Sequence, residues 1–223
     1  MVDSISDAVE GKHYKLLSNT VTIKAGECSA NVQVQGVYDN IDIDDYLTVG
    51  LRLVIPKEEQ WSLYGIDSKV ILQKACPFDI NSFTGYCKVT STFFDDYMQN
   101  VTMRLIKTSV NPEKENSVIL HDLYYNGHDI VLDFDRDNLL EPLVSMEEQV
   151  CGTTAEAFGT IYGDGNLLMY QPTMYTSYYS TCEKFVLQYV TLYVNGVGTV
   201  GTYVNILEWI SDAEAEKLKE QGY

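Results

Sequence analysis

The sequence predicts an all-β protein in two parts: a small antiparallel sandwich over residues 1–73, a linker at 74–82, and an antiparallel β-barrel or second sandwich over 83–223 ending in a short helix. Three observations carry this expectation. Apolar and polar residues alternate through most of the chain, which is the side-chain period of a half-buried strand. Pieces rich in Gly, Asn, Asp and Pro interrupt the alternation at short, regular intervals. Finally, "KACPFDI" at 74–80 breaks the pattern with Pro77, after which alternation restarts at Phe83.

In the first part, Val21 and Ile23 alternate with Thr20 and Thr22, and Val32 and Val34 with Asn31, Gln33 and Gln35. "KAGE" at 24–27 is the Gly-containing turn between these two runs. "YDNIDIDD" at 38–45 is an acidic connection, followed by a strand carrying Leu47, Val49, Leu51 and Leu53 and a last strand around Asp67–Gln73.

In the second part, strands are expected at 83–91, 100–107, 117–125, 129–135, 143–150, 157–162, 166–171, 184–194 and 200–208. The turns between them include "NPEKEN", "YNGH", "DRDN", "YGDG" and "NGVG". So many short strands at such spacing suit an up-and-down barrel or a sandwich. The tail, "SDAEAEKLKE" at 211–220, loses the alternation; Ser211 with Glu214 three residues later forms a capping box, and Lys217 and Lys219 suit the negative end of a helix dipole.

Composition limits the function. Fifteen Lys plus Arg against 32 Asp plus Glu leave a formal charge of −17, which repels a phosphate backbone, so nucleic acid is not an expected partner. With 45% hydrophobic and 12% aromatic residues the chain folds rather than remaining an acidic disordered tail. The opening "MVDSISDAVEGKHY" has neither the basic start nor the apolar stretch of a signal peptide. Cys28, Cys76, Cys87, Cys151 and Cys182 show no CxxC pair and no metal-ligand spacing, and their strand-like settings favour free buried thiols over disulfides.

From Asp7 to Leu53 the chain resembles the second half of a Calx-beta or related immunoglobulin-like domain. The resemblance rests on Ala8, on the E-G-x-x-Y set Glu10, Gly11 and Tyr14, and on the "VTIKAGE" turn from Val21 to Glu27. It implies one or two further strands ahead of "VDSIS", a truncated sandwich, and an upstream partner for a strand at Val2–Ile5, with an exposed strand edge where that partner is missing. The "F-x-G-Y" opening of the second part, at Phe83, Gly85 and Tyr86, is similar to uncharacterised cell-surface lipoproteins of Bacteroidetes, many of them near Sus-type glycan-uptake systems. That likeness implies an outer-membrane, cell-surface or periplasmic location, with membrane attachment only through a lipid anchor upstream.

The resemblance also implies calcium ligands in "YDNIDIDD", where Asp39 and Asp45 fall at matching acidic positions; Asn40 replaces a second carboxylate, and a solvated loop is the competing reading. "DFDRDN" at 133–138 fails as an EF-hand loop because Asn138 stands where Gly is required. "YGDGNLLMYQPTMYTSYYST" at 162–181 gathers tyrosines, of which Tyr170, Tyr175, Tyr178 and Tyr179 are the candidate ligand contacts, since a phenol ring offers a flat apolar face with a polar rim. The competing reading is sheet packing by β propensity.

No H-E-x-x-H, G-x-S-x-G or P-loop pattern occurs, and no cofactor motif. His121 and His128 are read as solvated or hydrogen-bonded ends of a hairpin. The expected function is therefore a non-enzymatic exported binding or adhesion module whose partner is a glycan or a surface protein. The rivals are a carbohydrate-active hydrolase with an acid pair in the second part, and a lipocalin-like carrier with an open apolar interior.

Overall fold

The computed structural model describes residues 1–54, 58, 66–138 and 141–223 and divides into two compact units, Met1–Ala75 and Cys76–Tyr223. Both are built from antiparallel strands. Among the described residues no helix is long and apolar enough to cross a membrane.

The first unit contains two two-stranded sheets, β1 (Tyr14–Leu16) with β2 (Val34–Gly36) and β3 (Tyr46–Arg52) with β4 (Asp67–Gln73). In β3 and β4 the register sets Leu47 opposite Leu72 and Val49 opposite Val70, so alternation puts these side chains on one face. That face meets Tyr14, Leu16 and Val34 in a small core around Tyr14, Val49 and Ala8. The E-G-x-x-Y set is thus structural: Gly11 takes φ +82° in a tight turn, its N–H donates to the Tyr14 carbonyl, and Tyr14 is fully buried.

At the start of the chain Val2 bridges Leu51, the Asp3 N–H donates to Gly50 O at 2.8 Å, and Arg52 pairs with Asp3 at 2.8 Å. One expectation for this unit is corrected. The strands expected at 20–23 and 31–35 do not form a ladder with each other; the second survives only as β2, which pairs with β1. The "KAGE" turn is present, closed by Glu27 N–H to Lys24 O at 3.0 Å, but Val21, Ile23 and Val32 remain exposed. Alternation produces a stable strand only where a second layer buries its apolar face, and an isolated hairpin lacks one.

The second unit is one ten-stranded antiparallel sheet curled into a half-barrel. Its strands are β5 (Gly85–Ser91), β6 (Arg104–Val110), β7 (Ser117–His121), β8 (Ile130–Phe134), β9 (Val144–Ser145), β10 (Gln149–Thr153), β11 (Asn166–Tyr170), β12 (Tyr178–Ser180), β13 (Phe185–Val194) and β14 (Gly198–Ile210). They run β10-β11-β13-β14-β5-β6-β7-β8-β9, with β12 also paired to β13. The curl brings the two ends of this order together, and they are laced by bonds outside the ladders. The Gln149 carboxamide accepts from Val131 N–H at 2.7 Å and donates to Val131 O at 2.8 Å, completing the outer edge of β8 as a neighbouring peptide would. Lower down, Val144 N–H donates to Ser177 O at 3.1 Å and Tyr179 N–H to Pro142 O at 3.0 Å.

Side chains fill the interior, among them Phe83, Leu120, Tyr124, Leu132, Val190 and Leu207, all fully buried. One aromatic cluster gathers Phe78, Phe83, Phe134, Tyr179 and Trp209, with Phe83 and Phe134 centroids 4.5 Å apart. Another gathers Phe93, Tyr97, Tyr124 and Tyr203. From Tyr124 of the second cluster runs a buried polar chain: Tyr124 OH donates to Asn205 Oδ1 at 2.8 Å, and Asn205 Nδ2 to Gln188 Oε1 at 3.0 Å. Each polar group in that chain has a partner, which is the condition for tolerating it in a core.

The expected strand at 157–162 is replaced by helix α2 (Thr154–Phe158), which follows α1 (Thr92–Tyr97) in the chain. Thr153 and Glu156 form a reciprocal capping box, at 3.2 Å and 2.7 Å, and Gly159 ends the turn at φ +72°. The expected strand at 143–150 is split into β9 and β10. The C-terminal helix is present as α3 (Asp212–Glu220), with the Ser211 side chain accepting from Glu214 N–H.

The cysteine expectation is also corrected. Cys76 and Cys182 form a disulfide, while Cys28, Cys87 and Cys151 are free. Residues 76–82 of the expected linker fall in the second unit: Phe78 packs on its core, and Thr181 Oγ1 donates to Cys76 O at 2.8 Å beside the bridge.

Candidate functional site: the outer aromatic face

β13 is ten residues long, and its even members, Val186, Gln188, Val190, Leu192 and Val194, are buried inward. The opposite face therefore presents Phe185, Leu187, Tyr189 and Tyr193 outward. Each aromatic on this face has an aromatic neighbour from a preceding segment. Tyr178 meets Phe185 edge-on at 6.0 Å, Tyr175 stacks on Tyr189 at 4.9 Å with an interplanar angle of 18°, and Tyr170 meets Tyr193 edge-on at 5.7 Å. Phe185, Tyr189 and Tyr193 are four residues apart, which spaces the three ring pairs by roughly 13 Å along the strand.

The stripe continues onto β14, where Ile206 stands opposite Leu187 and Val204 opposite Tyr189. Val204 and Ile206 also line an open hollow of about 220 Å³ with Thr90, Thr92, Asp95 and Thr102. Rings, aliphatic surface and hydroxyls thus lie side by side, a combination that stacks on an apolar ligand face while offering hydrogen bonds at its rim.

Three of the four predicted tyrosines are on this face: Tyr170, Tyr175 and Tyr178 are 36%, 47% and 41% exposed. Tyr179 is not. It follows Tyr178 in β12, so it points to the opposite side, is buried among Phe78, Phe83 and Phe134, and donates its hydroxyl to Asp135 O at 2.8 Å. Burial and the nearby Asp135 charge push its phenol up to about 12. The partners Phe185, Tyr189 and Tyr193 went unrecognised at the sequence level, although alternation within "FVLQYVTLYV" places all three on one face.

The two calcium candidates stand near opposite ends of the acidic connection 38–45. Asp39 lies in a short 3-10 turn, Tyr38–Asn40, and Asp45 Oδ2 accepts from Asp42 N–H at 3.0 Å. Among the described residues no group of three or more His, Cys, Asp or Glu side chains converges on one point. A larger open hollow, about 530 Å³, lies between Phe78–Ile80 and the β6–β7 loop, but its cations already have partners: Lys114 pairs with Asp133 at 2.8 Å and Arg136 with Glu115 at 3.8 Å. The histidines are engaged: His13 Nδ1 accepts from Val9 N–H at 3.0 Å, His128 lies 3.4 Å from the Glu156 carboxylate, and both ring nitrogens of His121 have partners.

No curated protein and no solved structure matches this chain. A family model does, over residues 63–221, which covers most of the chain and the whole half-barrel with its aromatic face. The chain therefore belongs to the family described as domain of unknown function DUF4984.

Proposed function

We propose that the half-barrel is a binding module of an exported protein and that it holds a glycan along the aromatic face of β11, β12, β13 and β14. The observation that carries this is the alignment of the three ring pairs on one exposed strand face, flanked by the threonine-lined hollow. Saccharides offer flat C–H faces for stacking and hydroxyls for hydrogen bonds, and the face supplies counterparts to both. A formal charge of −17 favours neutral chains over sulfated or uronate-rich ones. The Cys76–Cys182 disulfide supports the exported location, because such bonds persist in oxidising compartments. A cell-surface or periplasmic setting near a glycan-uptake system is part of the same reading.

Affinity electrophoresis through gels of neutral polysaccharides, or a glycan array, tests it with the triple variant Tyr170→Ala, Tyr175→Ala, Tyr178→Ala. At about 1 kcal/mol for each lost ring, the triple variant binds roughly 100-fold more weakly. Equal retardation of a folded triple variant and the wild type would dismiss the face as the site.

A further inference from the structure

A second grouping of side chains lies on the outer face of β6, β7 and β8. The register sets Lys107 opposite His121, and Ser109 is two residues along β6 on the same face. Asp129 immediately precedes β8. Ser109 Oγ lies 2.9 Å from His121 Nε2, and Asp129 Oδ2 lies 2.8 Å from His121 Nδ1. The other carboxylate oxygen accepts the backbone N–H of Asp122 at 3.3 Å, which fixes the carboxylate against the ring. In the tautomer whose proton sits on Nδ1, toward the carboxylate, Nε2 is the acceptor for the Ser109 hydroxyl. Hydroxyl, imidazole and carboxylate therefore stand in the order, and on the ring atoms, that activate a serine. The His121 side chain is 36% exposed, so solvent and small solutes reach it. Lys107 provides a positive charge on the same row, its Nζ lying 4.1 Å from the centroid of the Tyr86 ring.

We propose that Ser109 is a nucleophile for acyl transfer from small carboxylic esters, with His121 as its base and Asp129 as the residue that positions the base. Ser109 Oγ bonds to the ester carbonyl carbon as its proton passes to His121 Nε2. The bond from that carbon to the leaving oxygen breaks, and the departing alcohol takes the proton from Nε2. Water then attacks the acyl-serine by the same route, releasing the carboxylic acid and restoring the hydroxyl. The grouping is on different strands from the aromatic face, and its activity does not depend on glycan binding there.

The test uses the full chain, a fluorophosphonate probe with peptide mapping, and p-nitrophenyl acetate hydrolysis. The expected result is one covalent adduct, on Ser109. Ser109→Ala abolishes it, and His121→Gln slows both labelling and ester hydrolysis about 100-fold, the low end of what a positioned base contributes. Asp129→Asn slows labelling without lowering the melting temperature, a combination that a merely structural carboxylate would not give. Wild-type protein that takes no adduct at Ser109, or takes it on Tyr86 instead, overturns the proposal; so does ester hydrolysis by Ser109→Ala equal to wild type.

Discussion

Replacing Cys76 and Cys182 together by serine isolates the contribution of the disulfide to the half-barrel. The bond joins residues 106 apart in sequence, so in the unfolded chain it closes a loop that includes most of the sheet. Treated as chain entropy, a loop of that length removes about 16 cal/mol/K from the unfolded state, or about 5 kcal/mol at 25 °C. For a unit of roughly 150 residues, each kcal/mol moves the melting temperature by about 2–4 °C, so the double variant melts about 10–20 °C lower. The same drop follows from adding reductant to the wild type. Thiol titration accompanies the melt: native protein reacts once, at exposed Cys28, and denatured, unreduced protein three times, as Cys87 and Cys151 are released from the core. Five reactive thiols without reductant, or a melting shift under about 3 °C in the double variant, would refute the reasoning.

Gln149→Ala removes the two bonds that complete the edge of β8; the expected cost is about 1–3 kcal/mol, with faster amide exchange at Val131 as the local signature. Gly152→Ala places a methyl 2.5 Å from the Tyr125 ring, so it destabilises by about 1–3 kcal/mol, and shortening Tyr125 in the same protein recovers part of the loss. Burial, followed by nearby acidic groups, pushes Tyr125 and Tyr179 up to about 12, and burial raises Tyr124 as well. A tyrosine raised in the folded state contributes stability that is complete below the unfolded value near 10 and is lost as pH climbs toward the folded one. Melting temperature is therefore insensitive to these groups up to about pH 10 and falls above it; an unchanged melt at pH 11.5 would contradict this.

Expectation and structure agree where a local pattern has one outcome. The strand at Asp67–Gln73 lies where alternation and turns place it, and Ser211 caps the last helix as its spacing to Glu214 requires. Divergence follows from physical competition. At Thr153–Gly159 a capping box and a left-handed glycine outweigh β propensity, and both signals were present in "TTAEAFG". At 20–35 the alternation is clear, but no second layer covers Val21 and Ile23, so the hairpin has nothing to bury its face against. Cys76 and Cys182 come together through the docking of residues 76–83 on the half-barrel, which spacing cannot show.

The sequence by itself determined an all-β chain of two parts, strongly acidic, with tyrosines concentrated near its end. It did so because period-two alternation, turn residues and net charge are local or additive properties. Tertiary structure decided which tyrosines face solvent, since Tyr178 and Tyr179 are adjacent in the chain yet lie on opposite sides of one sheet. It also decided that Ser109, His121 and Asp129, from three consecutive strand segments, meet within hydrogen-bonding distance. Such meetings depend on ladder register and on the curl of the sheet, and both are set by how the whole core packs.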